Sequence, residues 1–323
     1  MSAKNSFKVL ITSLSNKVPL VREVRKALKK IAVDSCIFGA DCNPSCIGRY
    51  FVDVFWEMPP TDKLDPDAIV GYCLSNDIRS IIPTRDGELP FFAENRDRLH
   101  NDGIAVMISS RESVQTCLDK WSFHNTLSSQ TNLNPILTVD RPHPDHGDRW
   151  VVKERYGAGS KNILLDATVE AAQSSLDRFS NPICQPHVHG REYSVDLYLS
   201  QKAIPKGCIV RTRDVVIHGE SQVTTSVNRP DIEKICIEAA TTIGLTGHVL
   251  FQLIEDEDGS LNILECNCRF GGASSLSVAA GLDSFHWFFR ECLGDDLSGV
   301  PYLPSPDGWR QIRYAEDKIV LMR

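Results

Sequence analysis

Over its first hundred residues the chain alternates short apolar runs with amphipathic helical segments, and this alternation constrains the fold more than any other feature. Lys8–Leu14 (KVLITSL) reads as a buried strand. Pro19–Lys30 carries apolar residues at Val21, Val24 and Leu28, with proline early and basic residues late, where the helix dipole favours them. Val33–Phe38, Ser80–Pro83 and Ile104–Ile108 read as further strands, and Pro66–Leu74 and Leu89–Leu99 as helices. Strands joined through helices run parallel, so the spacing predicts a doubly wound parallel sheet. A dinucleotide-binding fold begins the same way. Here the first strand leads into Ser13-Leu14-Ser15-Asn16-Lys17, with no G-x-G-x-x-G through which a pyrophosphate could approach the helix. Asp41 alone does not make a ribose site, and an oxidoreductase is disfavoured.

The second half has a different rhythm. Ser109-Ser110-Arg111-Glu112 resembles a capping box opening a helix, and another helix is expected over Asp119–Leu127. A loop-rich bridge with three prolines, Asn132–Trp150, precedes a region of strands: Trp150–Glu154, Ile183–Val188, Tyr193–Leu199, Cys208–Val216, His248–Ile254 and Leu261–Cys266. Helices are expected over Val169–Phe179, Asp231–Ile243 and Ser284–Leu293. The fold class is therefore α/β followed by α+β, the latter with largely antiparallel sheets. Three segments follow, 1–108, 109–182 and 183–323.

A net charge of −7 argues against a general nucleic-acid binder, which needs a basic face. No run approaches the roughly 18 apolar residues of a membrane span, and the start MSAKNSFKVLITSL lacks the pattern of a signal peptide. Eleven cysteines without framework spacing read as reduced thiols in a cytoplasmic protein.

The most chemically loaded stretch is LNILECNCRFGG, Leu261–Gly272, where an apolar strand ends in an acid, an amide, two thiols and a guanidinium. Either the thiols or the acid and amide hold a metal. Asp258-Gly259 is a hairpin signal, because glycine accepts the positive φ of a primed turn. A two-residue turn there places Gln252 opposite Glu265, with Cβ atoms about 5 Å apart. Asn267 projects from the same face as Glu265. Gln252, Glu265 and Asn267 are hard oxygen donors, of the kind magnesium uses alongside phosphate oxygens. Cys266 alternates to the other face, and Cys266 and Cys268 form only a C-x-C pair without an evident partner pair, which reads as packing beneath the sheet.

The stretch GHVLFQLIEDEDGSLNILECNCRFGG resembles the metal-binding hairpin of the ATP-grasp superfamily, nearest to its carbamoyl-phosphate-synthase-like branch, with Cys268 where proline is usual. The resemblance implies a pre-ATP-grasp domain over 1–108, a small lobe with a glycine loop over 109–182, and a C-terminal lobe with the metal site over 183–323. It implies that Gln252, Glu265 and Asn267 hold Mg2+, with Mn2+ as a substitute, and that Arg269 contacts phosphate. VVKERYGAGSKNI offers Lys153 and a loop with Gly157, Gly159 and Ser160 to the ATP phosphates; Lys120 resembles a second ATP-contacting lysine. ICQPHVHGREYSVDLYL resembles the adenine hinge, with Gln185, Pro186, His187 and Val188 beside the base and Glu192 on the ribose. Arg211 and Arg213, two residues apart on a strand, would clamp a carboxylate or acyl phosphate; the alternative is an edge strand blunted by charge. Glu88, in RDGELPF, receives no role, and His187 and His189 read as surface residues rather than metal ligands.

The expected function is an ATP-dependent ligase that activates a carboxylate as an acyl phosphate for attack by an amine. Its partners would be small-molecule carboxylate and amine substrates, with neither nucleic acid nor membrane involved and a homodimer left open. The alternatives are a carbamate-forming or carboxyl-phosphorylating enzyme, or a non-catalytic ATP-binding module.

Overall fold

The computed structural model describes residues 6–157, 162–305 and 307–321. Strands β1 (Ser6–Ile11), β2 (Asp34–Asp41), β3 (Val54–Glu57), β4 (Ser80–Ile82) and β5 (Ala105–Val106) form one sheet, ordered β3-β2-β1-β4-β5, all pairs parallel. The central strands are apolar on both faces because helices cover both: Val9, Leu10, Ile11, Ile37, Ile81 and Ile82 are fully buried. Helices α1 (Val18–Lys29) and α2 (Pro66–Ser75) lie where periodicity predicts them, α2 capped by the Asp65 carboxylate on the Asp67 amide (2.9 Å). The expected helix over Leu89–Leu99 is two short helices, α3 (Leu89–Glu94) and α4 (Arg96–Asn101), parted at Asn95, whose side chain donates to the Phe91 carbonyl. β3 escapes sequence reading because it is a short, half-exposed edge strand. The strand order reverses between β1 and β4, and such a reversal leaves a crevice at the carboxyl ends of the strands.

Helices α5 (Arg111–Leu118) and α6 (Lys120–Ser128) follow. Ser110, not Ser109, caps α5 on the Ser113 amide (3.1 Å); Ser109 bonds the Thr246 carbonyl instead (2.9 Å). The expected capping box is therefore a single serine cap one residue later, with Ser113 rather than Glu112 at the third helical position. Strands β6 (Arg149–Glu154), β7 (Ile163–Thr168) and β8 (Pro182–Pro186) form a small antiparallel sheet packed by α7 (Val169–Ser175). Trp150, Val152, Ala167, Ala172 and Cys184 give this lobe a core of its own, distinct from the core clusters of the rest of the molecule.

A six-stranded antiparallel sheet completes the fold: β9 (Gly190–Leu199), β10 (Pro205–Ile217), β11 (Glu220–Val227), β12 (Gly247–Asp256), β13 (Leu261–Asn267) and β14 (Arg310–Ile312), ordered β13-β12-β9-β10-β11-β14. Helices α8 (Pro230–Ile243), α9 (Ser274–Ala279) and α10 (Ser284–Cys292) pack against it. The segment boundary expected at 182–183 coincides with the start of β8, which pairs with β6 in the small sheet. Leu10, Ile81 and Phe92 share a core cluster with Val195, Phe251 and Ile263, so the parallel and six-stranded sheets bury apolar surface together. Among the described residues no helix is long and apolar enough to cross a membrane.

Candidate active site

The β12–β13 hairpin closes differently from its sequence signal. Asp256 and Ser260 pair across the turn (N–H to O, 3.0 Å), leaving a three-residue loop, Glu257-Asp258-Gly259, with Gly259 at φ +81°. Asp258-Gly259 is thus not a two-residue turn; glycine sits at the left-handed third position of a longer loop. That loop alone would shift every pair by one. An irregularity between Gln252 and Leu253 restores the register: Leu253 pairs with Ile263, yet Gln252 pairs with Glu265, and Leu264 is the extra residue of a β-bulge. The bulge turns both Leu264 and Glu265 toward one cavity, which Asn267 and Gln252 also line.

This cavity, of about 610 Å³, lies between the small lobe and the six-stranded sheet. Six lysine and arginine side chains line it against four glutamates, in a chain of net charge −7. Around Glu265 the polar groups are interlocked. Oriented to satisfy its neighbours, the Gln252 amide donates to Glu265 Oε1 (2.6 Å) and accepts from Arg213 (2.9 Å). Asn267 donates to the same oxygen (3.2 Å) and accepts from Arg269 (3.2 Å). A carboxylate and two amide oxygens on one wall fit magnesium's preference for hard donors, with sites left for phosphate oxygens.

Lys153 and Lys120 face this wall. Lys153, on β6, is 9% exposed; burial pushes its ammonium down to about 8, with Glu265 partly restoring the charge and Lys120 opposing it. Burial also lowers Lys120, countered by Glu265 and Asp86. Lys120 opens α6 behind the Asp119 cap and donates to the Gly157 carbonyl (2.9 Å). Asp119 in turn pairs with Arg155 (2.5 Å), so the start of the glycine loop is tied to α6. Gly157 has φ +148°. Gly159 and Ser160 lie outside the described residues.

At the other end of the cavity, Gln185 is buried and donates to Thr138 (2.8 Å), while Pro186, His187 and Val188 line the wall. The His187 amide is committed to the Arg149 carbonyl (2.8 Å), which removes one of the backbone donors expected to face a base. Asp166, His187 and His189 lie close together at the surface, with Asp166 paired to Arg149 (2.7 Å). Glu192 opens onto the cavity but accepts from Arg213 (2.7 Å). The G-x-E run has a steric cause: a Cβ at residue 190 would lie 2.0 Å from the Glu255 carbonyl oxygen, so β9 can enter the sheet only as glycine.

Arg211 and Arg213 share a face of β10, as expected, but differ in state. Arg213 is paired with Glu192 and Gly219 at the surface of the cavity. Arg211 is 1% exposed and held by Asp196 (2.7 and 2.8 Å), Ser277 (3.0 Å) and Thr224 (3.3 Å). Asp196 also accepts from Ser277 (2.5 Å) and lies 3.0 Å from His248 Nε2. Burial opposes the Asp196 charge, and Arg211, His248 and Ser274 outweigh it, holding the carboxyl below the usual range. Arg211 is therefore less a free clamp than the keystone beneath the cavity.

Three further residues shape the site, of which the sequence singled out only Glu88 and gave it no role. Arg313 follows β14, lines the cavity, and bonds Glu220 (2.6 Å) and the Gly272 carbonyl. Asp86 takes Arg269 (2.5 Å), joining the crevice of the parallel sheet to the end of β13. Glu88, fully buried, accepts from the Thr84 amide (2.6 Å), the Arg85 amide (3.0 Å) and Ser13 (2.7 Å), so it shapes that crevice; burial raises its carboxyl.

A family model described as "ATP-grasp in the biosynthetic pathway with Ter operon" matches residues 178–317, and one described as "PylC-like, N-terminal domain" matches residues 9–107. No curated protein matches the chain. Among solved structures, the chain is similar to the biotin carboxylase domain of Hydrogenobacter thermophilus 2-oxoglutarate carboxylase in complex with MgADP and bicarbonate: 15% identity over 90% of this chain and 71% of that one, TM-score 0.71. It is also similar to N5-carboxyaminoimidazole synthetase from Staphylococcus aureus complexed with ADP, at 16% identity over 90% of this chain and 78% of that one, TM-score 0.69. An L-amino acid ligase from Bacillus licheniformis matches at 16% identity over 90% of this chain and 75% of that one, TM-score 0.67. At these identities the likeness is one of fold.

Proposed function

The chain belongs to the ATP-grasp superfamily, and from that premise we propose that it is an ATP-dependent ligase joining a small carboxylate to a small amine. Two burial-weakened lysines and three oxygen-bearing side chains converging on one cavity support this reading above all. ATP occupies the cavity with its base toward Pro186–Val188 and its phosphates toward Lys120, Lys153 and the β13 wall. Glu265, with Gln252 and Asn267, would hold Mg2+, which when bound neutralises charge on the β- and γ-phosphates.

A carboxylate is a poor electrophile because its leaving group would be oxide. Its oxygen attacks the γ-phosphorus, the bond to the bridging oxygen breaks, and ADP leaves. The amine then attacks the acyl carbon of the acyl phosphate, phosphate departs, and the ammonium proton is released to solvent. Lys153 and Lys120, desolvated before ATP arrives, gain most from the incoming polyanion. Arg213, Arg269 and Arg313 hold the acceptor and the moving phosphoryl group, and Arg211 fixes the wall from beneath through Asp196. Holding reactants in line is worth up to about 7–11 kcal/mol, and no side-chain nucleophile is needed. The separate core of the small lobe suits a cover that closes over the phosphates and keeps water from the acyl phosphate.

The test is a matrix of amino acids and small carboxylic acids offered in pairs with ATP and Mg2+, scored by phosphate release. Turnover that requires both partners is the expected result. Release with a carboxylate or bicarbonate alone would replace the ligase by a carboxyl-phosphorylating or carbamate-forming enzyme. Glu265→Gln should abolish turnover with the fold intact; normal activity in that variant would remove the metal assignment.

A further inference from the structure

The face of β13 turned away from the cavity carries a second set of donors that the proposed ligase does not use. Cys266 and Cys268 point there, and α5 brings Cys117 against them across a sequence separation that hid it. Their three sulfurs all lie within 4.8 Å of one another, and all three residues are buried in the core cluster shared by both large sheets. Among the described residues no fourth histidine, cysteine or carboxylate joins the group. The other such cluster, Asp166 with His187 and His189, is exposed, and its carboxylate is already spent on Arg149.

From this geometry we propose that Cys117, Cys266 and Cys268 form a three-sulfur site for a thiophilic ion of three-coordinate habit, whose loading weakens the magnesium site on the opposite face. Sulfur donors select soft ions. An ion about 2.3 Å from each of three sulfurs holds them about 3.5–4 Å apart, inside the 4.8 Å within which the sulfurs already lie. A structural zinc site is almost always four-coordinate, so the lack of a fourth donor among the described residues disfavours zinc. Burial adds a charge criterion, because unpaired net charge in the core is costly. Three thiolates around a divalent ion leave one negative charge and around a monovalent ion two; around trivalent arsenic they leave none. Arsenite is therefore the probe that best fits the site. Three thiols and one arsenous acid give three As–S bonds and three waters, each thiol proton leaving with an oxygen, and no atom is oxidised or reduced.

The coupling to the cavity follows from the chain. Cys266 lies between Glu265 and Asn267, so drawing its sulfur toward α5 moves the backbone that aims both oxygen donors. Displacing such supporting structure costs metal sites on the order of tenfold or more in affinity. This second half of the proposal rests on the magnesium reading above; the first half does not.

The experiment uses the reduced full chain and arsenite alone, under nitrogen. Native mass spectrometry should show one arsenic per chain with three hydrogens lost, and X-ray absorption on the wild-type adduct should count three As–S bonds. Cys117→Ala and Cys268→Ala should each abolish the stable adduct, whereas Cys42→Ala, at an exposed cysteine, should leave it unchanged. No adduct, fewer than three As–S bonds, or an adduct that survives Cys117→Ala would overturn the site whether or not a variant folds poorly. Loaded protein should then bind Mg·ATP on the order of tenfold more weakly than unloaded protein. Equal binding would overturn the coupling and leave the site. Failure of the unloaded protein to bind Mg·ATP would strike the functional reading alone.

Discussion

Lys153→Met is the substitution whose outcome the structure fixes most sharply. Lys153 is buried on β6 and burial lowers its pKa from 10.5 to about 8, so at neutral pH the fold carries a cation it would prefer to lose. Each tenfold loss of proton affinity is worth about 1.4 kcal/mol, which puts the penalty at roughly 3 kcal/mol. Methionine keeps the length of the stem and removes the charge, so the variant should be more stable at pH 7 by an amount approaching that figure, with a melting temperature higher by roughly 5 °C. The sign with pH follows from linkage. Between pH 8 and 10.5 the unfolded chain binds the Lys153 proton and the folded chain does not, so wild-type stability rises across that window relative to the variant. The variant's advantage should be complete below pH 8 and gone above 10.5. Mg·ATP at a hundredfold excess over its dissociation constant should stabilise the wild type by about 2.7 kcal/mol and leave the variant unmoved. Urea unfolding from pH 7 to 10.5, with and without Mg·ATP, reads all of this. A variant less stable than wild type at pH 7, or an advantage that stays constant with pH, would refute the buried-cation argument. Equal stabilisation of both proteins by Mg·ATP would refute the placement of phosphate at Lys153.

Asp196→Asn should destabilise the protein by about 3–5 kcal/mol in urea unfolding, because it leaves Arg211 charged and unpaired in the core. Arg313→Ala should leave the unfolding midpoint within error and lower kcat by roughly a hundredfold, as loss of a preorganised cation at a developing negative charge does; an unchanged kcat would remove Arg313 from the reaction. Gly190→Ala should disrupt the start of β9, since the new methyl carbon meets the Glu255 carbonyl at 2.0 Å; purification of a variant as stable as wild type would show that the strand can shift.

Much of the fold was readable because each element is locally determined. A parallel sheet covered on both faces reads as short continuous apolar runs, and Val9–Ile11 in β1, Ile37 and Phe38 in β2, and Ile81 and Ile82 in β4 are such runs. The break at Asn95 and the edge strand β3 were not readable, because each depends on what packs beside it. The Gln252–Glu265 pairing was reached by way of a two-residue turn that does not exist. The actual three-residue loop and the bulge at Leu264 offset each other, and only the paired strands reveal either.

Local sequence determined that Glu265 and Asn267 share a face, because side chains alternate along the part of β13 beyond the bulge. It also determined that lysines and glycines precede that strand in the order a phosphate site requires. Tertiary structure alone decided which charges survive. Asp196 captures Arg211 from the neighbouring strand, Asp86 reaches Arg269 from the helical turn that follows β4, and Arg313 arrives from the far edge of the sheet. It also brought Cys117 to the C-x-C pair, across about half the chain. Electrostatics and metal ligation act over a few ångströms of space, and residues separated by a hundred positions come within that range only once the core has packed.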